Sequence, residues 1–207
     1  PDAIESRTTS AFRRLGILYR ARRFFTSAQL LTLYKSQIRP IIEYGSHLWC
    51  GMSKKLSDQL DSVQRRAVRL INDPSLTSDL QPLQHRRKVG MLSLFYRYYH
   101  GACSNELHSL IPPPLISERE TRSTTLIHPF AVDLKTMRTW RFHDSFLCQT
   151  SLLWNGLPVS VFPSQFNPVL FKTNINHHFL AAPHDRTKNS SNTSAAPFQG
   201  DIDPQAF

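Results

Sequence analysis

Three consecutive prolines, Pro112-Pro113-Pro114, place the strongest constraint on how this chain folds. None has an N–H to donate, so the run belongs neither inside a helix nor in a central strand, and it predicts a division of the chain. Residues 1–111 and 112–182 are read as two units, followed by a tail over 183–207.

Ahead of the prolines come four amphipathic segments with short connections. From Ala3 to Phe24, the residues Phe12, Leu15, Leu18 and Tyr19 fall at helical spacing on one side, while Arg13 and Arg20, two turns apart, share another. Thr26 followed by Gln29 is a capping box, which predicts a second helix with the stripe Leu30, Leu31, Tyr34, Ile38, Ile41, Ile42, Gly45, Leu48, Trp49. Pro40 inside that stripe predicts a kink or break near Arg39, and Gly51 a stop. Leu56, Leu60, Val63, Ala67, Leu70 and Ile71 define a third helix, which Asn72-Asp73-Pro74 ends. A fourth holds Val89, Leu92, Phe95, Tyr96 and Tyr99, is reached through the basic run His85-Arg86-Arg87-Lys88, and ends at Gly101.

Beyond the prolines, Thr124-Thr125-Leu126-Ile127 and the stretch Thr136 to Phe142 read as short strands. A helix over Phe146 to Asn155 is closed by Gly156-Leu157-Pro158, and Asn167-Pro168 opens a last one. From about Pro183 the composition turns to Ser, Asn, Thr, Pro and Gly and predicts a disordered tail. The expected fold is mainly α: a helical bundle, then a small α+β segment with short strands, then the tail.

The chemistry is selected by charge. With Lys+Arg 25 against Asp+Glu 15, the net charge of +10 makes a polyanion the default partner, a nucleic acid first and an anionic membrane surface second. The membrane reading needs one helix with aromatics opposite Lys and Arg along its length, whereas these stripes suit a multi-helix core, so no membrane partner is expected. Hydrophobic residues at 40% suffice for a packed core, which argues against a disordered polybasic chain. No apolar run is long enough to cross a bilayer, and Pro1-Asp2-Ala3-Ile4-Glu5-Ser6 lacks the pattern of a secretory signal, so the chain reads as intracellular, nuclear or cytoplasmic.

Catalytic patterns are missing from the sequence. No two acidic residues are adjacent, as a two-metal centre favours, and neither a phosphate-cradling Gly-rich loop nor a Gly-x-Ser-x-Gly elbow occurs. Cys50, Cys103 and Cys148 are too few and too scattered for a disulfide framework or a zinc finger. His177, His178 and His184 read as a solvated helix end, so no metal ligand and no cofactor are expected in this chain.

The informative residues are basic. Arg39 stands four before Glu43 and Asp61 four before Arg65, pairs that absorb two arginines at most, while no acidic residue lies near the first-helix cluster. The nucleic-acid-binding set expected from this reasoning is Arg13, Arg20, Arg22, Arg23, Lys35, Arg39, Arg65, Arg66 and Arg69. In the run Phe95-Tyr96-Arg97-Tyr98-Tyr99, helical spacing turns two of the four aromatics into the core and leaves Tyr98 the best placed for exposure; Trp49, Trp140 and Trp154 read as core.

Three stretches taken together resemble a known family: Leu15-Gly16-Ile17-Leu18-Tyr19-Arg20-Ala21-Arg22-Arg23-Phe24-Phe25, then Leu33 through Trp49, then Gln64-Arg65-Arg66-Ala67-Val68-Arg69-Leu70-Ile71. In this order and spacing, and with Leu153-Trp154-Asn155-Gly156-Leu157-Pro158 and Phe171-Lys172 further on, the chain resembles the C-terminal part of the reverse transcriptase of jockey-like non-LTR retrotransposons. The resemblance runs from about Leu15 to about Leu180. It implies a thumb and the segment after it, a helical bundle that holds the RNA/DNA template-primer duplex by its backbone and packs against a palm domain. The palm, its catalytic aspartates and the Mg they hold are then expected upstream of Pro1, which is not a Met, and this chain alone is expected to be non-catalytic. Relatives commonly carry Pro-Arg-Thr where Cys148-Gln149-Thr150 stands, and a further basic residue before the Leu-Trp-Asn, so two basic positions are missing there. The alternative expectation is an inert retroelement remnant or a protein-interaction scaffold.

Overall fold

The structure is a computed structural model that describes residues 2–115, 128–134 and 139–181. It is mainly helical, as the stripes predict. The first helix, α1 (Asp2–Ala21), continues into a 3-10 turn over Arg22–Phe24. Its buried stripe is Ile4, Thr8, Ala11 and Leu15, with Phe12 and Leu18 half-buried. The Thr8 hydroxyl donates to the Ile4 carbonyl at 2.8 Å, so a polar side chain sits in this seam without an unmet bond. Tyr19, expected inward, is turned away from that stripe and is 56% exposed.

The capping box forms as read: the Gln29 N–H donates to Thr26 Oγ1 at 3.3 Å and the Thr26 N–H to Gln29 Oε1 at 2.9 Å, opening α2 (Ser27–Leu33). The break expected near Arg39 takes the form of a π-helical turn over Tyr34–Ile38 followed by α3 (Arg39–Glu43). Pro40 has no N–H for the carbonyl four residues back and its ring crowds it; the wider turn ahead puts Pro40 in the first turn of α3, where that N–H is not needed. The stop comes earlier than Gly51. Gly45, at φ 69°, adopts the left-handed conformation that a side chain disfavours, and a 3-10 turn over Ser46–Trp49 follows, leaving Leu48 exposed.

Ser53 caps α4 (Lys54–Ile71), which ends at Asn72 with φ 50°, and Asp73 caps the single turn α5 (Pro74–Thr77). The fourth long helix, α6 (Leu83–Tyr99), is followed by the short α7 (Asn105–His108). The basic run lies inside α6, and Arg87, on the same side as Leu83 and Met91, is buried. Its Nη2 donates to Asp61 Oδ1 at 3.3 Å and to Ser57 Oγ at 3.0 Å, so Asp61 pairs with Arg87 and not with its helical neighbour Arg65.

After the prolines the chain makes one isolated antiparallel bridge, Pro114 with Val132, and no longer strand among the described residues. The strand expected at Thr124–Ile127 and the tail expected from 183 lie outside the described residues, as do residues 136–138 of the second strand. Its remainder is helical instead. Thr139 Oγ1 accepts from the Phe142 N–H at 3.3 Å and caps α8 (Trp140–His143), because a local side-chain cap competes with strand pairing. The helices α9 (Phe146–Asn155) and α10 (Pro168–Ala181) follow the sequence reading, with Ser145 and Asn167 as caps. Trp140 departs from it at 76% exposed, stacked on His143.

Two main hydrophobic clusters result. One joins α1, the π-turn, α3 and α4; the other surrounds Trp154 with Phe95, Tyr96, Phe171 and Val132. The helix α6 supplies Leu83 to the first and Val89, Leu92, Phe95 and Tyr96 to the second, so one rigid element joins them. Of the aromatic run, Phe95 and Tyr96 are buried and Tyr98 and Tyr99 half-buried, with Tyr98 edge-on to Phe146 at 6.4 Å between ring centroids.

The Leu-Trp-Asn segment does structural work in the second cluster. Asn155 Oδ1 accepts from the Val132 N–H at 3.0 Å and its Nδ2 donates to the Val132 carbonyl at 2.9 Å, a pair of bonds that stands in for a neighbouring strand. Trp154 Nε1 donates to the Phe130 carbonyl at 2.7 Å. The buried His128 donates from Nε2 to the Trp154 carbonyl at 2.8 Å, and its Nδ1 has no partner among the described residues. Burial holds the His128 imidazole below its ordinary 6.5, outweighing the bond to Trp154. A histidine depressed in the folded state stabilises the fold fully above its unfolded value and loses that contribution as the pH falls below about 6.5. The melting temperature should therefore drop between pH 7.5 and 5.5. His128→Gln, which keeps a donor for Trp154 but does not titrate, should remove most of the drop; partial burial depresses His100 in the same direction and accounts for the rest.

Candidate nucleic-acid interface

A groove of about 410 Å³ runs between α1 and α4, and it collects basic side chains from three elements. Arg20 comes from α1, Arg22 from the 3-10 turn, and Arg66 and Arg69 from the outward side of α4. The floor is apolar, made by Phe12, Leu15 and Leu70. Arg20 folds back along its own helix, with Nη1 3.9 Å from where a Cβ on Gly16 would stand.

Aromatic rings set two of the guanidinium groups in place. Arg66 lies over Phe12 at 4.7 Å from the ring centroid, and Arg22 over Tyr19 at 4.2 Å. Stacking of this kind orients the guanidinium without consuming its N–H donors. The exposed Tyr19 is thus the platform for Arg22. None of Arg20, Arg22, Arg66 and Arg69 makes an ion pair or hydrogen bond with any described residue. Four planar cations with unused donors around one groove form a surface suited to successive phosphates.

The other members of the expected set lie elsewhere or are differently engaged. Arg13 is exposed two turns before Arg20, and Arg23 is exposed beside Arg22, with its guanidinium over Phe24 at 4.8 Å. Lys35 is exposed on the π-turn. Arg39 is engaged, 4.0 Å from Glu43, whose carboxylate also takes Nε and Nη2 of Arg86. Arg65 lines a separate cleft with Gln64 and Pro82, where its Nη2 donates to the Asp58 carbonyl at 3.4 Å. Arg14, outside the expected set, is tied to the Gln37 carbonyl at 3.3 Å.

Among the described residues no group of three His, Cys, Asp or Glu side chains is placed to hold a metal ion, and no helix is long and apolar enough to cross a membrane. Glu43 and Asp61 are occupied by guanidinium groups and Asp73 by the N–H groups of α5. Cys50 Sγ donates to the His47 carbonyl, and burial pushes the thiol up to about 11, which leaves it a poor nucleophile at neutral pH.

Sequence reasoning missed the inward placement of Arg87. The signal was present in its four-residue spacing from Leu83 and Met91, both buried. In comparisons with known proteins, no family model, no curated protein and no solved structure matches this chain.

Proposed function

We propose that this chain is the thumb and post-thumb part of an RNA-directed DNA polymerase of a non-LTR retrotransposon, and that it grips the template-primer duplex through the α1–α4 groove. The observation that carries the reading is the convergence of Arg20, Arg22, Arg66 and Arg69, without partners among the described residues, on one groove. The sequence resemblance implies a thumb role for the same arginines. The groove binds phosphates and reads no bases, and an RNA–DNA hybrid is gripped by backbone and shape. Phe24, on the 3-10 turn, at 71% exposure and Ile17, on α1, at 56% are exposed apolar side chains that suit docking on the palm, which supplies the carboxylates and Mg for nucleotide addition. The working compartment is nuclear or cytoplasmic.

Titrating the chain with RNA–DNA hybrid duplexes at several salt concentrations tests this. The logarithm of the binding constant should fall linearly with log salt with a slope of about −0.9 per phosphate neutralised, and two unrelated sequences should bind alike. A flat salt dependence, or no binding at low salt, overturns the reading and favours the inert remnant. A stable complex with another protein and no affinity for duplex favours the scaffold.

A further inference from the structure

A second cleft, of about 460 Å³, opens where the end of α3 faces α6 and α10. Its chemistry is set by Arg87, only 7% exposed, whose Nη2 is held by Ser57 and Asp61 while Nη1 is buried with no acceptor among the described residues. A buried guanidinium N–H without an acceptor is unfavourable, so a small shift of Arg87 that brings Nη1 to an anionic oxygen in the cleft satisfies a donor that the described residues leave unpaired. Lys172, exposed on α10, lines the same cleft and has no ion pair or hydrogen bond among the described residues. Asn176 lines it too; its Oδ1 is taken by His85 Nε2 at 2.8 Å, which leaves the amide N–H groups as donors.

The one carboxylate in the lining, Glu43, is neutralised by Arg86 through two nitrogens and by Arg39. Counting Arg39, Arg86, Arg87 and Lys172 against Glu43 and Asp61 leaves two positive charges, which matches the charge of a phosphate monoester at neutral pH, about −1.5 to −2. The volume exceeds that of one phosphate and leaves room, against Val89, for the group it is attached to.

We infer that the cleft between α3, α6 and α10 is a binding site for a phosphate monoester, with Arg87 and Lys172 as its principal donors. The site is separate from the α1–α4 groove and stands or falls without it. Its phosphate comes from the 5′ end of a nucleic acid or from a small phosphorylated solute, and the two are separable.

Calorimetric titration of the full chain with inorganic phosphate, against sodium chloride at matched ionic strength, should show binding specific to phosphate. Lys172→Gln, on an exposed helix face and so without consequence for folding, should weaken it about tenfold through loss of one charge-assisted bond. Stronger binding of a 5′-phosphorylated dinucleotide than of its 5′-hydroxyl form assigns the phosphate to a nucleic-acid end. Equal binding of the two dinucleotides, with inorganic phosphate still bound, assigns it to a small solute. No phosphate-specific heat, or K172Q binding as tightly as the parent chain, overturns the site.

Discussion

Replacing Arg20, Arg22, Arg66 and Arg69 together by glutamine should lower affinity for an RNA–DNA hybrid by roughly a hundredfold to a thousandfold at ~0.1 M salt. The salt slope should become shallower by about 3.6, since each lost phosphate contact removes about 0.9. The slope is the more telling readout: a variant that merely loosened the bundle would lose affinity without a matching loss of released counterions. Glutamine is shorter but keeps the aliphatic stem nearest the backbone and removes the charge, so the floor of Phe12, Leu15 and Leu70 stays partly covered. Arg65→Gln provides the control, since Arg65 lies in another cleft and holds the Asp58 carbonyl; it should change the slope by less than about one. If R65Q and the fourfold variant reduce the slope alike, the grip is spread over the whole basic surface and the groove is not the site.

The contrast between Arg65 and Arg66 shows what was legible in the sequence. Helical periodicity puts Arg65, Arg66 and Arg69 on the outer side of α4, and all three are exposed. Periodicity does not say which neighbouring helix lies beside that surface, so it does not separate Arg66, stacked on Phe12 of α1, from Arg65, one residue earlier and outside the groove. Tyr19 is the same problem seen from α1. Its apolar ring reads as core, but the stripe through Ile4, Ala11 and Leu15 leaves it outside, where it carries a guanidinium.

Local signals were more reliable wherever the chemistry is closed within a few residues. The Thr26–Gln29 box and the Asn167 cap form because donor and acceptor are three residues apart. Arg87 shows the limit. A charged residue at a core-facing position is read as exposed because burial without a partner is costly, and its partner Asp61 lies 26 residues away on another helix.

Trp154→Ala should destabilise the chain by about 3–5 kcal/mol, the range for deleting a large buried aromatic. The indole is fully buried, with Phe162 at 4.8 Å, Phe95 at 5.0 Å and Tyr99 at 5.3 Å between ring centroids, so little is free to collapse into the space. Trp154→Phe keeps most of the ring but leaves the Phe130 carbonyl without its donor, and should cost about 1–3 kcal/mol. Against a usual total of about 5–15 kcal/mol either loss is large, and urea midpoints read it directly. The consequence reaches the first cluster, because Phe95 and Arg87 lie on one helix and Arg87 is bonded to Asp61 of α4, the helix that carries Arg66 and Arg69. In a Trp140→Phe background, where the exposed indole is removed, the emission of Trp49 reports the first cluster alone in the Trp154→Ala variant. Its midpoint should fall together with that of the far-UV circular dichroism, as a single cooperative unit requires. If Trp49 keeps the parent midpoint while helicity is lost in a separate earlier step, α6 does not couple the two clusters and the groove is stable without the segment beyond the prolines.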